Sequence, residues 1–369
     1  RYRPFAPMAE RTIGRLDPKT DKGLYGIEAS FEEQLFGKKG AEWREVLPNG
    51  TKIPIGDVMD ARPIPGADVY TTLDINLQDI AETALKKSLT TYQAESGCAI
   101  VMEVVTGEIR AMVNLSQLPG GQYVETFNHA VQGRTDPGST FKLATMMAVL
   151  DETRQDPDNV WVDTKNGAVW FKGAKIEDAK NGGLGRITVS QVLEKSSNVG
   201  IHLLMQRHFY QQPDKYLSYL ERFRLTSRTG IQLKDEAAPN IPNRRSKTWS
   251  KTSLTYISYG YEQQITPLQT LALYNAVAND GYWVRPTIVR QVGSESSNAL
   301  VYKPFTTDTR ISSPETIKLV QKMLQGVVER GTATNIRSRH YTLAGKTGTA
   351  QKLIKGKYYK GRYYTSFAG

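Results

Sequence analysis

Three short runs in this chain carry side chains whose types and spacing suit nucleophilic chemistry. The first is Pro137-Gly138-Ser139-Thr140-Phe141-Lys142. Pro137 and Gly138 break the chain, and the run Leu143 to Leu150, free of Gly and Pro, predicts a helix that starts at Ser139. Residues three apart share a helix face, so Ser139 Oγ and Lys142 Nζ can approach each other. A serine hydroxyl is a poor nucleophile until a base takes its proton, and a neutral lysine amine can be that base. Neutrality is costly. Lysine ordinarily titrates near ~10.4, so half-neutrality at neutral pH withholds about 4 kcal/mol. Burial and a second cation nearby would supply that cost. The helix N-terminus also leaves the Ser139 N–H available to a developing oxyanion.

The second run is Ser196-Ser197-Asn198, in a break between the helical stretches Thr188 to Lys195 and Val199 to Met205. Residues two apart in an extended segment point the same way, so a hydroxyl and an amide can face one cleft. The hydroxyl can relay a proton and the amide can hold a substrate amide group. The third run is Lys346-Thr347-Gly348-Thr349. Gly348 lets an extended peptide pair closely with a strand, and Lys346 and Thr349 can bind a carboxylate. The Thr349 N–H is a candidate second oxyanion donor. Gly345-Lys346-Thr347 also looks like the end of a phosphate-binding loop, but that motif needs Gly five residues earlier, where His340 stands. Each run alone is an ordinary turn, cap or strand end. The order Ser-x-x-Lys, Ser-x-Asn, Lys-Thr-Gly is far more specific than any one of them.

The elements that must position these runs follow from periodicity. Residues 1 to 68 are rich in Gly, Pro and charge and read as a smaller β-leaning module, with one short helix from Glu28 to Phe36 closed by Gly37. Asp68 to Leu73 predicts a strand. Ile75 to Leu89 predicts a helix capped by Asp74, with Leu77, Ile80, Ala81, Ala84 and Leu85 on its inner side. Cys98 to Val105 and Ile109 to Asn114 predict a hairpin around Thr106-Gly107-Glu108. A largely helical middle is expected over 139–225 and 266–280, then a strand Tyr282 to Val292 and a helix Pro314 to Arg330 ended by Gly331. Tyr341 to Lys352 and Tyr364 to Ala368 read as adjacent antiparallel strands, with the basic, aromatic stretch between them as a loop. Strands at both ends of a segment with helices between predict an α+β domain, an antiparallel sheet covered by helices.

Composition bounds the function classes. With 39% hydrophobic and 23% charged residues over 369 positions, the chain can bury a real core in about two domains. The net charge of +11 favours anionic partners without choosing among nucleic acid, membrane surface and carboxylate substrate. Cys98 is the only cysteine, so no disulfide scaffold exists, and its apolar neighbours mark a buried structural thiol. No Cys/His or His-Glu-x-x-His spacing is present, so neither a metal site nor a cofactor is expected, and His202 reads as a core or cleft-wall residue. No apolar run is long enough to cross a bilayer. No nucleic-acid motif accompanies the basic stretch, so nucleic acid is not an expected partner.

The three runs, in that order, resemble the signature set of penicillin-binding proteins and serine β-lactamases. The likeness to class B penicillin-binding proteins covers nearly the whole chain. It includes Ala9-Glu10-Arg11-Thr12-Ile13-Gly14, Gly23-Leu24-Tyr25-Gly26-Ile27-Glu28, Thr266-Pro267-Leu268-Gln269 and Gly331-Thr332-Ala333. The resemblance implies an N-terminal pedestal (1–68) and a transpeptidase domain (69–369) cut short at its C-terminus. It implies a peptidoglycan D,D-transpeptidase, closer to the septal than the elongation type, anchored in the inner membrane by a segment outside this chain and facing the periplasm. It further implies D-Ala-D-Ala stem peptides as substrates, β-lactams as covalent inhibitors, and divisome proteins including a glycan polymerase as partners. By carry-over Ser139 is the nucleophile and Lys142 the base, Ser196 and Asn198 line the cleft, and Lys346, Thr347 and Thr349 hold the donor carboxylate beside Gly348. Rival readings are a β-lactamase, for which no Glu-x-x-Leu-Asn-like segment lies between Asn198 and Lys346, and a non-catalytic drug sensor or scaffold. The family pattern has a second Gly where Tyr259-Gly260-Tyr261 is followed by Glu262, which puts that loop's shape in question.

Overall fold

The computed structural model describes residues 5–42, 44–55, 62–179, 182–293, 299–354 and 357–369. The opening residues 1–4 and the tip 355–356 of the basic stretch lie outside them. Every pairing between strands of the described residues is antiparallel, in sheets of two or three strands set among helices. Among the described residues no helix is long and apolar enough to cross a membrane.

Asp74 caps the helix Ile75–Tyr92 as expected, its carboxylate accepting the N–H groups of Asn76 at 2.9 Å and Leu77 at 3.1 Å. This helix packs on the hairpin Ser96–Met102 and Ile109–Gln117. Gly97 allows the contact, because a Cβ there would stand 3.0 Å from Leu89 and 3.3 Å from Leu85. The inner face differs from the expected one: Leu77 and Ile80 are exposed, whereas Gln78 is buried. Its amide accepts the Met112 N–H at 2.8 Å and donates to Met112 O at 3.1 Å, a paired contact that sets the helix rotation against the apolar stripe.

Four other expectations change. The stretch before Ser196 is not wholly helical. Four short strands, Trp161–Asp163, Ala168–Phe171, Ala174–Glu177 and Arg186–Thr188, stand between the helices Lys142–Thr153 and Val189–Glu194. Two of them form a hairpin whose turn residues Lys172 and Gly173 have φ of 50° and 85°, a two-residue turn with both residues left-handed. The predicted strand Tyr282 to Val292 splits into Tyr282–Val284 and Val289–Val292 around Pro286, which has no N–H for a ladder. The basic, aromatic stretch is not a loop. Strands Lys346–Ile354 and Lys357–Ala368 carry it as a long ribbon paired from Lys346↔Ala368 to Ile354↔Lys357. In the N-terminal region the expected single helix is two, Gly26–Ser30 and Glu32–Phe36, closed by Gly37 at φ 69°.

The largest core surrounds the helix Lys142–Thr153, which is buried at every position from Lys142 to Leu150. Val192, Ile201, Met205, Phe209 and Val320 pack in the same cluster. The helix that follows Ser139 is therefore enclosed over its first nine residues, a rigid base for the turn that precedes it.

Candidate active site

Ser139 sits in a 3₁₀ turn, Gly138–Phe141, and the α-helix begins only at Lys142. The expected helix start at Ser139 is thus a tighter turn, in which residues three apart eclipse and Ser139 and Lys142 share one line. Gly138 makes this turn possible at φ 57°. Its N–H donates to Gly260 O at 3.0 Å. Gly260, at φ 92°, lies so close that a Cβ would meet Gly138 O at 2.0 Å. Ser139 is half-buried at the head of the turn, where the first N–H groups have no partner in the helical ladder.

Lys142 is fully buried. Its amine donates to Ser196 O at 2.6 Å and to Ser196 Oγ at 3.2 Å. Among the described residues these hydrogen bonds go to Ser196 rather than to Ser139. Two N–H donors spent on Ser196 leave the lone pair of a neutral amine unspent, and catalytic contacts commonly close only when substrate is bound. Burial holds the Lys142 pKa well below the ordinary lysine range; the nearby Lys346 lowers it further, and Asp178 opposes both.

Ser196 reaches Lys142 because its backbone is left-handed, at φ 59°. That single turn aims both its carbonyl and its hydroxyl at one amine. The strained residue is held by its neighbours. Ser197 caps the helix Asn198–His208 by accepting the Gly200 N–H at 2.8 Å, and it donates to the Asp178 carboxylate at 3.0 Å. Asp178 also accepts the Val199 N–H at 3.0 Å. Asn198 donates to Glu177 O at 2.8 Å. Asp178 is a contact of the Ser196–Asn198 turn that sequence reasoning missed.

On the third segment, Lys346, Gly348 and Ala350 are buried, Thr347 is half-buried and Thr349 is exposed, the alternation of a strand with one covered face. Lys346 donates to Thr347 O at 2.9 Å, and burial pushes its pKa down to about 7. Gly348 is needed where the strand crosses the nucleophile's turn: a Cβ would stand 3.0 Å from Thr140 Cγ2 and 3.2 Å from Pro137 O. Thr347 Oγ1 lies 2.6 Å from Thr332 Oγ1, a second contact absent from the sequence reading. The three runs thus meet at one place. Glu262 adopts a left-handed φ of 58°, a conformation that glycine also reaches readily.

Other candidates fall outside this cluster. His202 is buried, with Nδ1 3.1 Å from Thr255 Oγ1 and its ring 4.7 Å from Phe171, and burial pushes its pKa down to about 4. Cys98 is half-buried rather than buried, beside the cluster of Ile109 and Met112.

Two buried lysines, Lys142 and Lys346, thus stand in the cluster that includes the turn of Ser139 at the head of a buried helix. The chain matches the penicillin binding protein transpeptidase domain over residues 97–369 and belongs to that family. It is 30% identical over its whole length to penicillin-binding protein PbpB of Mycobacterium tuberculosis, covering 55% of that protein. It is 27% identical to peptidoglycan D,D-transpeptidase FtsI of Buchnera aphidicola over 97% of this chain and 61% of that protein. Penicillin binding protein 3 of Mycobacterium tuberculosis, solved with ampicillin, superposes with a TM-score of 0.81 at 28% identity over 98% of this chain and 77% of that one. The chain spans a little over half the length of the curated relatives it matches.

Proposed function

We propose that this chain is the extracytoplasmic catalytic part of a peptidoglycan D,D-transpeptidase of the septal type. The observation that carries the reading is the meeting of buried Lys142, its amine on Ser196, and buried Lys346 nearby, beside the turn that presents Ser139. Ser139 Oγ attacks the carbonyl carbon of the penultimate D-alanine while its proton passes to Lys142 Nζ. The tetrahedral oxyanion is held by backbone N–H groups, that of Ser139 first. The C–N bond breaks, and D-alanine leaves with a proton delivered through Ser196 Oγ. The amine of a neighbouring stem then attacks the Ser139 ester, gives its proton to Lys142 and restores the serine. Lys346, with Thr347 and Thr349, binds the donor's terminal carboxylate, and Asn198 holds the donor's amide. β-Lactams, which present a strained amide and a carboxylate, acylate the same oxygen.

The names of the relatives support this, and FtsI supports the septal assignment over elongation. In the same reading residues 1–68 form a pedestal and 69–369 the transpeptidase domain. A membrane anchor outside this chain and a glycan polymerase complete the working assembly. Incubation with a fluorescent penicillin is expected to label the wild type covalently and leave Ser139→Ala unlabelled. Equal labelling of both removes Ser139 from its role.

A further inference from the structure

Away from the catalytic cluster, a surface cavity of about 340 Å³ opens where the helix Pro213–Arg222 ends beside the strand Thr306–Arg310. That volume falls within the range of small-molecule sites, about 300–1,000 Å³. Its lining sets three arginines, Arg222, Arg224 and Arg310, against one carboxylate, Glu221. Arg222 is already occupied: it donates through Nε to Ile311 O at 2.7 Å and pairs through Nη2 with Asp151. Arg224 and Arg310 form no ion pair among the described residues. Both guanidiniums are nevertheless held in place. Arg224 Cζ lies 4.8 Å from the centre of the Trp283 ring and Arg310 Cζ 4.4 Å from that of Tyr282, and Arg310 Nε donates to Asp280 O at 2.9 Å. A ring against one face fixes the plane of a guanidinium and leaves the N–H groups along its edge to donate elsewhere. The hydroxyls of Thr226 and Ser227 share the lining.

Arg224 also stands where the backbone favours glycine. The helix closes in a Schellman turn, the Arg224 N–H donating to Glu221 O at 2.9 Å and the Leu225 N–H to Leu220 O at 3.0 Å. The left-handed residue of that turn is Arg224 itself, at φ 59°. Glycine reaches this conformation without a Cβ clash, so an arginine is placed here against the local backbone preference. We propose that the cavity is a binding site for a phosphate-bearing anion, held by the edge N–H groups of Arg224 and Arg310 and by the hydroxyls of Thr226 and Ser227. A phosphate group has enough oxygens to accept from two guanidiniums and a hydroxyl at once, and a guanidinium fork matches a pair of them. Glu221 opposes an anion, and the two unpaired guanidiniums outweigh it. None of these residues belongs to the cluster of Ser139, Lys142, Ser196 and Lys346, so the site stands or falls apart from the acyl-serine reading.

Isothermal titration of the whole chain with pyrophosphate tests the site. The wild type is expected to bind it saturably. Arg224→Gly suits the left-handed turn, so it is expected to keep the melting temperature within about 3 °C or raise it, while weakening binding about tenfold. Arg310→Gln is expected to weaken binding to a similar degree. Arg245→Gln, which removes an exposed charge outside the cavity, is expected to bind as the wild type does. Sedimentation with phosphatidylcholine vesicles, with and without phosphatidic acid, separates two sources of the same chemistry. Retention that needs phosphatidic acid and is lost in Arg224→Gly assigns a lipid headgroup. Pyrophosphate binding without vesicle retention assigns a free phosphorylated molecule. Failure of the wild type to bind either probe overturns the proposal. So does wild-type affinity in both Arg224→Gly and Arg310→Gln, or a loss in Arg245→Gln as large as theirs, which would reduce the effect to net charge.

Discussion

At the residue scale, the site works by denying two lysines their protons to different degrees. Lys142 and Lys346 are both fully buried; burial lowers both, and Lys346 lowers Lys142 further. Lys142 is held well below the ordinary lysine range, as the proposed base requires; Lys346, lowered to about 7, keeps part of its charge at neutral pH, as the proposed carboxylate contact requires. The sign of the pH effect follows. In the proposed mechanism falling pH protonates Lys142 and stops proton removal from Ser139, whereas rising pH through about 7 discharges Lys346 and weakens carboxylate binding. Acylation by a penicillin is expected to show a bell-shaped profile with its descending limb centred near neutral pH. Lys346→Arg, whose guanidinium does not titrate, is expected to lose that limb and keep the ascending one. A descending limb unchanged in Lys346→Arg assigns it to another group. Stability carries the opposite burden. The unfolded lysine binds its proton up to about pH 10.4 and the folded Lys346 does not. Folding therefore releases a proton, stability rises with pH between about 7 and 10, and the group withholds on the order of 4 kcal/mol at neutral pH. Much of this was legible in the sequence, because the Ser-x-x-Lys spacing and the need for a second cation are local or chemical facts. Asp178 was not legible. It lies 19 residues from the Ser197 hydroxyl it accepts from, in a segment without a recurring pattern.

At the element scale, the site depends on how helix ends are tied together. Glu194, 2% exposed at the end of Val189–Glu194, receives Arg330 through Nε at 3.1 Å and Nη2 at 2.5 Å. Arg330 closes the helix Pro314–Glu329, and two residues later Thr332 donates its N–H to Glu194 O at 3.3 Å while its hydroxyl meets Thr347. One buried carboxylate thus joins the helix before Ser196 to the strand of Lys346. Removing its partner leaves a buried, uncompensated charge, so Arg330→Ala is expected to cost about 3 kcal/mol in chemical denaturation. A cost below about 1 kcal/mol would show that the pair is a solvated surface contact. The helix expected over Pro314 to Arg330 is present as Pro314–Glu329, and Ser313, which caps it by accepting the Thr316 N–H at 3.2 Å, was not foreseen. Sequence reading failed where a short element had to be recognised inside a longer pattern. Pro286 and the Lys172-Gly173 turn were visible signals for the split strand and the missed hairpin, but the apolar content around them matched helix as well as strand.

At the scale of the whole molecule, the N-terminal segment is fastened to the rest by core contacts and by one carboxylate. Ile27 and Phe31 lie in the same buried cluster as Ile109, Met112 and Ile288. Glu125 accepts the Arg11 N–H at 2.7 Å and the Asn114 N–H at 2.9 Å, joining that segment to the strand Ile109–Gln117. No periodicity reports a contact between residues 114 positions apart, which is why this docking was invisible beforehand. The net charge of +11 is compatible with the anionic substrate of the proposed function, which the ordered runs, and not the charge, single out.

The central claim is that one oxygen on one tight turn becomes an ester. Mass spectrometry of the protein after brief exposure to a penicillin tests it most directly. A single adduct of the intact drug's mass, mapped by peptide fragmentation to Ser139, is the expected result. An adduct on any other residue, or a fully unmodified protein at saturating drug, contradicts it.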